Sequence, residues 1–463
     1  MTGPVKIAFL GGAGTVTGSK FLITTHSKKI LVDCGLFQGI KEDRLLNWQP
    51  FPIDPRSIDA VLLTHAHLDH TGYLPLLTKN GFSGPIFCSF PTAHLTELIL
   101  LDSAKIQMED AGFENENHLS KHHPALPLYD TDDVRNLLAQ IKPLNLDQWH
   151  PMFENEFEVR LSQSGHILGS TFVEFRVGKK VMVFSGDLGR EHPLILNPRK
   201  NVPVADTLIL ESTYGDKTHS KQDPKQELEK IISRAFENQG SVLIPSFSIG
   251  RSQDILYLLN ALKSEGKIPP CMKIYLDSPM AEKASQIFDR FPTWHTLDEQ
   301  NVGSITQMYT PISSVTQSAK LCSSNTPSII LAGSGMLNGG RIRHHLVKRI
   351  SDPKNEIVLV GYQAAGTPGR FLKEGTEELK LFGQYLPVKA KISEITSLSA
   401  HADQREIIHW LNAIQKKPQQ VFLVHGEPQA QEGLRVRLTD EFHIPIIIPK
   451  RGYSFPALAE KKA

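Results

Sequence analysis

Short apolar runs separated by glycine-rich or polar turns dominate the first third of the chain. The segments KIAFLG, KFLITT, KILVDCG and IDAVLLT are all of this kind. Such β-prone runs, bounded by turn residues, predict β-strands. Apolar residues recur with helical spacing in GYLPLLTKNG and over about residues 92–110, which predicts two helices there.

The pattern changes twice further along the chain. Strands are predicted at FEVRLSQSGHI, STFVEFRV, KKVMVFSGD and DTLILES, and from about residue 222 helices and strands alternate. Alternation of this kind is typical of a parallel sheet with helices on its faces. After about residue 388, KISEITSLSAHAD and QQVFLVHGE are again strand-like runs that end in histidines. We therefore predict an α/β protein whose first domain, residues 1–213 and 389–463, is interrupted by an inserted domain, residues 214–388.

Composition and charge exclude only a few classes of function. The 463 residues are 40% apolar and 21% charged, with a formal net charge of +1, which is ordinary for a soluble globular protein. A site for a polyanion would therefore have to be a local basic patch. No run of about eighteen apolar residues occurs, so no membrane partner is expected. The four cysteines lie far apart and no signal peptide is evident, which predicts a cytoplasmic protein with reduced thiols.

A dense histidine cluster, HAHLDH, follows the predicted strand IDAVLLT. Residues two apart in a strand face the same side, so His65 and His67 are predicted to share one metal ion. The chain is then predicted to turn, so that Asp69 and His70 project toward a neighbouring position. Imidazole and carboxylate groups are ligands that Zn²⁺ takes at roughly 2.0–2.2 Å. A histidine-rich surface turn is the alternative, and the spacing favours metal binding over it.

Ligand-type residues also follow three other predicted strands. His166 lies between glycines in SQSGHILGS, Asp187 ends VMVFSGD, and His425 ends QVFLVH. Each of them alone is more often a turn residue than a ligand. Because all three follow apolar strands, we do not expect all of them to be merely turn residues. The carboxylate of Asp187 is also suited to bridging two ions. The sequence thus predicts a metal site assembled from distant parts of the chain.

These motifs together resemble a known family. The set LVDCG, THAHLDH, SGHILGS and SGD is similar to the metallo-β-lactamase superfamily, and ESTYG, SAHAD and VHGE resemble the further motifs of its β-CASP branch, in the same order. The resemblance implies a metallo-β-lactamase αβ/βα sandwich with an inserted α/β β-CASP domain that contains a mainly parallel sheet. It points to the RNA-cleaving members, such as the endonuclease subunit of the cleavage and polyadenylation specificity factor.

The resemblance also implies roles for individual residues. The family's ligand positions correspond to His65, His67 and His166 for one zinc ion, to Asp69, His70 and His425 for a second, and to Asp187 as the bridge. Asp33 would accept the other N–H of a ligand histidine and fix its tautomer. The catalytic positions correspond to Asp69, Asp187, Glu211 and His401, of which His401 is the proton donor and Glu211 its partner. Mn²⁺ and Fe²⁺ are alternatives to zinc, because such ligand sets bind these ions too.

Glu211 and His401 have plainer alternatives. Without STYG after it, Glu211 would be interpreted as a carboxylate at a turn or a helix entry, and His401 as a cap of the helix DQREIIHWLNAI. Asp403 fits the N-cap position of that helix better. We therefore interpret Asp403 as structural and His401 as catalytic.

The function implied by the resemblance is a zinc-dependent ribonuclease that hydrolyses RNA phosphodiester bonds by two-metal activation of water, with His401 as general acid. RNA-directed members carry histidine at the position of His425, whereas DNA-directed members typically carry valine, so single-stranded RNA is the expected partner. An endonuclease is favoured, while cleavage from a 5′ end stays open, as does a homodimer. The alternatives are a hydrolase of small esters or thioesters, a DNA nuclease, and a binding protein with an inactive site.

Glycine-rich turns of the inserted domain are candidates for phosphate binding. Arg251 follows PSFSIG, Arg341 follows AGSGMLNGG, and Arg370 follows GYQAAGTPG, so loop amides and guanidinium groups could meet phosphate there. Ser399 of SLSAHAD is a fourth candidate. Ordinary tight turns between strand and helix explain the three arginine segments equally well, and none of them has the P-loop pattern.

Overall fold

The computed structural model describes residues 5–117, 122 and 124–458 and divides into two compact units. Unit 1 comprises Met1–His192, Pro198–Thr218 and His401–Ala463, and unit 2 comprises Pro193–Asn197 and His219–Ala400. In chain order, the segments of unit 2 lie between segments of unit 1. The limits of unit 2 differ from the predicted boundaries at 213/214 and 388/389, and the short segment Pro193–Asn197 also clusters with unit 2.

Strands and helices follow one another through the described residues. The strands are β1 (Val5–Gly11), β2 (Lys20–Thr24), β3 (Lys29–Val32), β4 (Ala60–Leu62), β5 (Ile86–Cys88), β6 (Ile141–Pro143), β7 (His150–Met152), β8 (Phe157–Gln163), β9 (Thr171–Val177), β10 (Lys180–Phe184), β11 (Thr207–Glu211), β12 (Val242–Pro245), β13 (Lys273–Asp277), β14 (Thr310–Pro311), β15 (Ser328–Ala332), β16 (Glu356–Leu359), β17 (Glu378–Leu381), β18 (Gln384–Pro387), β19 (Lys391–Glu394), β20 (Gln420–Val424), β21 (Ile446–Ile447) and β22 (Ser454–Leu458). The α-helices are α1 (Lys41–Leu45), α2 (Leu68–Thr71), α3 (Leu74–Lys79), α4 (Phe90–Glu116), α5 (Thr131–Leu138), α6 (Pro224–Glu237), α7 (Arg251–Ser264), α8 (Pro279–Asp289), α9 (Glu299–Gln307), α10 (Val315–Ser323), α11 (Ile342–Arg349), α12 (Pro368–Lys373), α13 (Gln404–Ala413) and α14 (Pro428–Phe442).

Unit 1 contains two seven-stranded mixed sheets, in the orders β22-β1-β2-β3-β4-β5-β6 and β21-β20-β11-β10-β9-β8-β7. In the first sheet, β3 to β6 pair in parallel, with Val32 opposite Leu62. In the second, β10, β11, β20 and β21 pair in parallel, with Glu211 opposite Val424. Within each sheet, the carboxyl ends of these neighbouring parallel strands therefore lie side by side. The loops that follow the strands begin at this edge of the sheet.

The core of unit 1 lies between its two sheets. Alternate residues of a strand face opposite sides, so Phe21 and Ile23 of β2 pack in the same core cluster as Ile209 of β11, while Leu22 packs in another. The outer face of the first sheet is covered by α3 and α5, and that of the second by α13 and α14. This αβ/βα sandwich confirms the predicted fold class.

Unit 2 contains a six-stranded sheet in the order β14-β13-β15-β12-β16-β19, with every pairing parallel. Helices such as α6, α7 and α11 pack on it through buried aliphatic residues. The strand β19 pairs with β16, and for this reason residues beyond 388 belong to unit 2. None of the helices in the described residues combines the length and the hydropathy of a membrane-spanning helix.

Candidate metal centre

The predicted ligands come together in unit 1, where strand ends and the residues after them meet. Asp33 follows β3, Asp187 follows β10 after two residues, Glu211 is the last residue of β11, and His425 follows β20. Each strand is apolar and buried, so its end fixes the backbone from which the polar side chain projects.

The histidine cluster itself is built differently from the prediction. The strand β4 ends at Leu62, so His65 and His67 lie in the loop after it and not in the strand. His67 is the N-cap residue of the short helix α2, which carries Asp69 and His70. The side chains converge because the loop bends into this helical turn, and the two-residue period of a strand does not apply.

Four side chains form a first donor set, which consists of His65, His67, His166 and Asp187. The Nε2 atom of His65 lies 3.1 Å from Nδ1 of His67, and Nε2 of His166 lies 3.2 Å from that same Nδ1. The Oδ2 atom of Asp187 lies 3.4 Å from Nε2 of His65 and 3.3 Å from Nε2 of His166.

These separations fit a tetrahedral metal ion. Ligand atoms at about 2.0–2.1 Å from a zinc ion in tetrahedral geometry lie about 3.3 Å from one another. The four observed distances, 3.1, 3.2, 3.3 and 3.4 Å, lie close to that value. The chemistry and the spacing of the first donor set therefore fit a bound ion such as Zn²⁺.

Asp69, His70 and His425 form a second donor set beside the first. The other oxygen of Asp187, Oδ1, lies 3.3 Å from Nε2 of His70 and 3.5 Å from Nε2 of His425. The Oδ2 atom of Asp69 lies 3.9 Å from Nε2 of His425. Asp187 thus directs one oxygen to each donor set, which is the arrangement that a bridging carboxylate requires.

Neighbouring side chains fix the orientation of the candidate ligand histidines. Asp33 Oδ2 lies 2.8 Å from Nδ1 of His70 and accepts a hydrogen bond from the Thr64 hydroxyl at 2.8 Å. That hydroxyl lies 3.0 Å from Nδ1 of His65, so it is placed to accept the Nδ1–H and leave Nε2 with its lone pair. Nδ1 of His425 lies 2.9 Å from the Ser19 hydroxyl. Partners of this kind set the tautomer and the ring angle of metal ligands.

Burial and neighbouring charges shift the pKa values of the imidazoles in different directions. Burial lowers the pKa of His65 well below its usual value and that of His67 to about 4, which favours the neutral form that binds metal. Burial also acts to lower the pKa of His70, but the carboxylates of Asp187 and Asp33 outweigh it and raise that pKa well above the usual value. Carboxylates that attract a proton at His70 also attract a metal cation there.

Two backbone features hold the second donor set in place. His425 has a φ of 48°, an uncommon conformation for a non-glycine residue, and its N–H donates to the Gly12 carbonyl at 2.6 Å. Gly35 packs so closely that a Cβ atom would lie 1.6 Å from the Asp69 carbonyl oxygen. The glycine-rich loop after β1 and the LVDCG segment therefore act as supports for His425 and Asp69.

His401 and Glu211 form a third group with Asp187. Nδ1 of His401 lies 3.3 Å from Oε1 of Glu211 and 3.9 Å from Oδ2 of Asp187. Glu211 is fixed in turn by the backbone N–H groups of Leu188 and Thr213, at 2.7 and 3.2 Å. Burial acts to lower the pKa of His401, but Glu211, with Asp187 and Asp69, outweighs it and raises that pKa. Asp403 caps α13, as predicted.

The structure adds two residues that the sequence did not indicate, Ser19 and Thr64. Thr64 stands beside His65 in the chain, but its role depends on Asp33, thirty-one positions earlier, and Ser19 lies 406 positions from His425. Both are small polar residues of a kind that is common in turns. Only the folded arrangement identifies them as partners of the candidate ligand histidines.

The four phosphate candidates lie in unit 2. Arg251 is buried and paired with Asp254 at 2.7 Å, and Arg341 is paired with Asp277 at 2.7 Å. Arg370 is paired with Glu374 at 2.5 Å, and Ser399 is buried just after a short 3₁₀ helix. Each arginine already has an internal carboxylate partner, and phosphate binding by these residues stays a prediction.

Three family models match consecutive parts of this chain. The metallo-β-lactamase superfamily matches residues 13–234, the Beta-Casp domain matches residues 252–372, and the Zn-dependent metallo-hydrolase RNA specificity domain matches residues 385–449. A crystal structure of a protein of unknown function from Enterococcus faecalis covers 98% of this chain and 99% of its own, with a TM-score of 0.51 and 14% identity. That likeness shows similarity of fold alone.

Curated relatives resemble the chain over nearly its whole length. Ribonuclease TTHA0252 of Thermus thermophilus is 35% identical over 92% of this chain and 94% of its own. Transcription termination factor FttA of Methanosarcina mazei is 31% identical over 92% of this chain and 67% of its own. An RNase J-like protein of Methanocaldococcus jannaschii is 29% identical over 98% of this chain and 100% of its own. The chain belongs to the β-CASP branch of the metallo-β-lactamase superfamily, a family of metallo-hydrolases that includes ribonucleases.

Proposed function

We propose that this protein is a ribonuclease that hydrolyses phosphodiester bonds of single-stranded RNA at a centre of two divalent metal ions, with zinc as the resident metal. The observation that carries the proposal is the position of Asp187, whose two oxygens each face a different donor set at 3.3–3.5 Å. The ribonuclease and RNase J-like relatives support RNA as the substrate. The RNA specificity domain matched at residues 385–449 supports it as well.

The residues that would hold the ions are the two donor sets. His65, His67 and His166 would bind one ion, Asp69, His70 and His425 the other, and Asp187 both. When bound, such a pair lowers the pKa of a water molecule and neutralises charge on the phosphodiester oxygens. The chain contributes imidazoles and carboxylates, and the rings of His70, His65 and His425 are held at fixed angles by Asp33, Thr64 and Ser19 respectively.

His401 would supply the proton that the leaving group needs. A departing ribose oxygen is a poor leaving group as an alkoxide, so protonation in the transition state lowers the barrier. Glu211 lies at Nδ1 of His401 and favours the protonated ring, so Nε2 is the atom from which we expect the proton to pass. Glu211 itself accepts two backbone hydrogen bonds, which keep it in position to steer the ring.

We further propose cleavage within the RNA chain, and a homodimer stays a prediction.

Metal removal and metal return test the proposed function. The purified protein, dialysed against a chelator, is returned to Zn²⁺ or Mn²⁺ and given a fluorescent single-stranded RNA, a circular RNA, the matching duplex DNA, and a small ester and thioester. We expect both RNAs to be cut, activity to vanish on chelation, and metal to restore it. Hydrolysis of the ester or thioester without cleavage of either RNA would contradict the proposal.

A further inference from the structure

A β-hairpin of unit 2 presents aromatic and basic side chains to solvent. Its strands β17 and β18 pair antiparallel, and the inward residues Leu379 and Leu381 are buried in the core. On the other face, Lys380 and Tyr385 are directly opposite one another and both are exposed. Phe382 lies at the tip of the hairpin. We call Arg343, His344, Lys380, Phe382 and Tyr385 the hairpin surface.

Phe382 occupies an unusual backbone position. The tip residues Phe382 and Gly383 have φ values of 48° and 82°, the signs that a type I′ turn requires. Asn, Asp or Gly is strongly preferred at the first of these positions, because a bulky side chain is strained there. The residue Phe382 is nevertheless 50% exposed, so it is not buried in the core. Strained backbone positions cluster at functional sites, which makes the exposed Phe382 a candidate for contact with a ligand.

Basic side chains lie against the exposed rings. The guanidinium carbon of Arg343 lies 4.2 Å from the ring centre of Phe382, and the ring of His344 stacks on Phe382 at 4.8 Å. The ammonium group of Lys380 lies 5.3 Å from the ring centre of Tyr385, which is 64% exposed. In the described part of the chain, no carboxylate lies within ion-pair distance of Arg343 or Lys380. Among the described residues, the charges of Arg343 and Lys380 therefore have no ion-pair partner.

We propose that the hairpin surface binds single-stranded RNA, with bases stacked on Phe382 and Tyr385 and phosphates at Arg343 and Lys380. Aromatic rings beside basic groups are the combination that binds unpaired nucleic acid, because each base offers a flat face and each phosphate a negative charge. Bases in a duplex already stack on one another, so a duplex gains little from these rings. The proposal rests on the proposed function, since it assigns unit 2 a contact with the same substrate.

Binding of RNA to hairpin variants tests the proposal. Affinity is measured by fluorescence anisotropy in a chelator, so that the RNA stays intact, with a 20-nucleotide single strand and with its duplex. Asn suits the strained turn, so Phe382→Asn, Tyr385→Ser and the double variant are expected to fold. We expect the double variant to raise the Kd for the single strand about tenfold or more and to leave the Kd for the duplex unchanged. Tyr453→Ser, at an exposed tyrosine of unit 1, is the matched control and should bind normally.

Two further measurements separate stacking from charge. Tyr385→Trp retains a ring, so it should bind with wild-type affinity, and its added fluorescence should be quenched by the single strand and not by the duplex. Arg343→Gln and Lys380→Gln should each reduce the slope of log Kd against log salt by about 0.7, whereas Lys283→Gln at another exposed position should not.

Specific outcomes would overturn the proposal. A wild-type Kd for the double variant, an equal loss of duplex binding, or an unquenched Tyr385→Trp would each do so. A fall in molecular mass of the double variant in solution, with unchanged RNA affinity, would assign the surface to a second copy of the chain. RNA cleavage by the metal-loaded wild type is assayed separately. A wild type that cleaves RNA, together with a double variant that binds normally, overturns the hairpin proposal alone.

Discussion

Each unit buries a cluster of histidine and carboxylate side chains, and the two clusters are built on opposite principles. In unit 2, Nε2 of His345 lies 2.7 Å from Asp277, and its Nδ1 lies 3.3 Å from a guanidinium nitrogen of Arg349. Asp277 also accepts hydrogen bonds from Ser318 and Arg341 at 2.6 and 2.7 Å. Here each ring nitrogen and each carboxylate oxygen faces a group of complementary polarity.

The candidate metal centre of unit 1 brings like groups together instead. Nitrogens of His65, His67 and His166 lie 3.1–3.2 Å apart in a buried site. Neutral imidazole nitrogens that carry lone pairs repel at this distance unless a cation or a proton lies between them. The comparison teaches that convergent acceptor atoms distinguish a candidate metal site from a polar part of the core. The mere presence of histidine and aspartate does not.

Unit 2 also contains a Cys322–His345–Asp277 set that resembles a catalytic triad in composition. The sulfur of Cys322 lies 3.4 Å from Nδ1 and 3.7 Å from Nε2 of His345. Nearly equal distances to both nitrogens do not align the thiol with either lone pair. Burial also raises the pKa of the Cys322 thiol, which disfavours the nucleophilic thiolate. This cluster is a polar part of the core.

The substitution Asp187→Asn should give the largest effect, because it removes the carboxylate that both donor sets share. We expect loss of bound metal and a fall in RNA cleavage of about a thousandfold or more. Metal content by mass spectrometry and single-turnover cleavage of a labelled RNA measure the two effects. Retention of two ions with more than a tenth of the activity would refute the bridging role.

His401→Ala should separate proton transfer from metal binding. We expect the variant to retain its metal while cleavage falls by about 10²–10⁴-fold, since His401 belongs to neither donor set. The same two assays apply, and His26→Ala, at an exposed histidine of unit 1, is the control. Near-normal turnover of His401→Ala would remove the general-acid assignment.

Asp277→Ala makes the contrasting prediction for unit 2. We expect the free energy of unfolding to fall by about 3–5 kcal/mol, because His345 and Arg341 lose a buried charged partner. Urea denaturation of the metal-free protein measures this loss, with the exposed Asp289→Ala as control. Metal content should not change. A variant that lost metal but kept its stability would contradict the interpretation of the Asp277 cluster as a structural part of the core.

Ser19→Ala should have the smallest effect of the series, confined to the second donor set. Loss of the hydroxyl at Nδ1 of His425 should weaken binding of one ion by about 10–100-fold and leave the other unchanged. Competition with a chelating dye measures both affinities, and the exposed Ser27→Ala is the control. Equal weakening of both ions would show that Ser19 does not act through His425.

The sequence predicts the parts of the centre that depend on strand ends. Apolar runs locate β3, β10 and β20, and hence Asp33, Asp187 and His425 after them. The loop of His65 and His67 was predicted wrongly as strand, because an apolar run does not show where backbone pairing stops. Tertiary partners such as Ser19 were not predictable, since no local pattern marks them. The pairing of β19 with β16, which places residues beyond 388 in unit 2, also depends on distant parts of the chain and has no local sequence signal.

The number and position of bound ions test the central claim most directly. Anomalous X-ray diffraction at the zinc edge, from crystals of the metal-replete protein, locates each ion. We predict two ions on either side of Asp187, one at Oδ2 with His65, His67 and His166, and one at Oδ1 with Asp69, His70 and His425. A single ion, or ions bound elsewhere while these side chains keep their positions, would contradict the account.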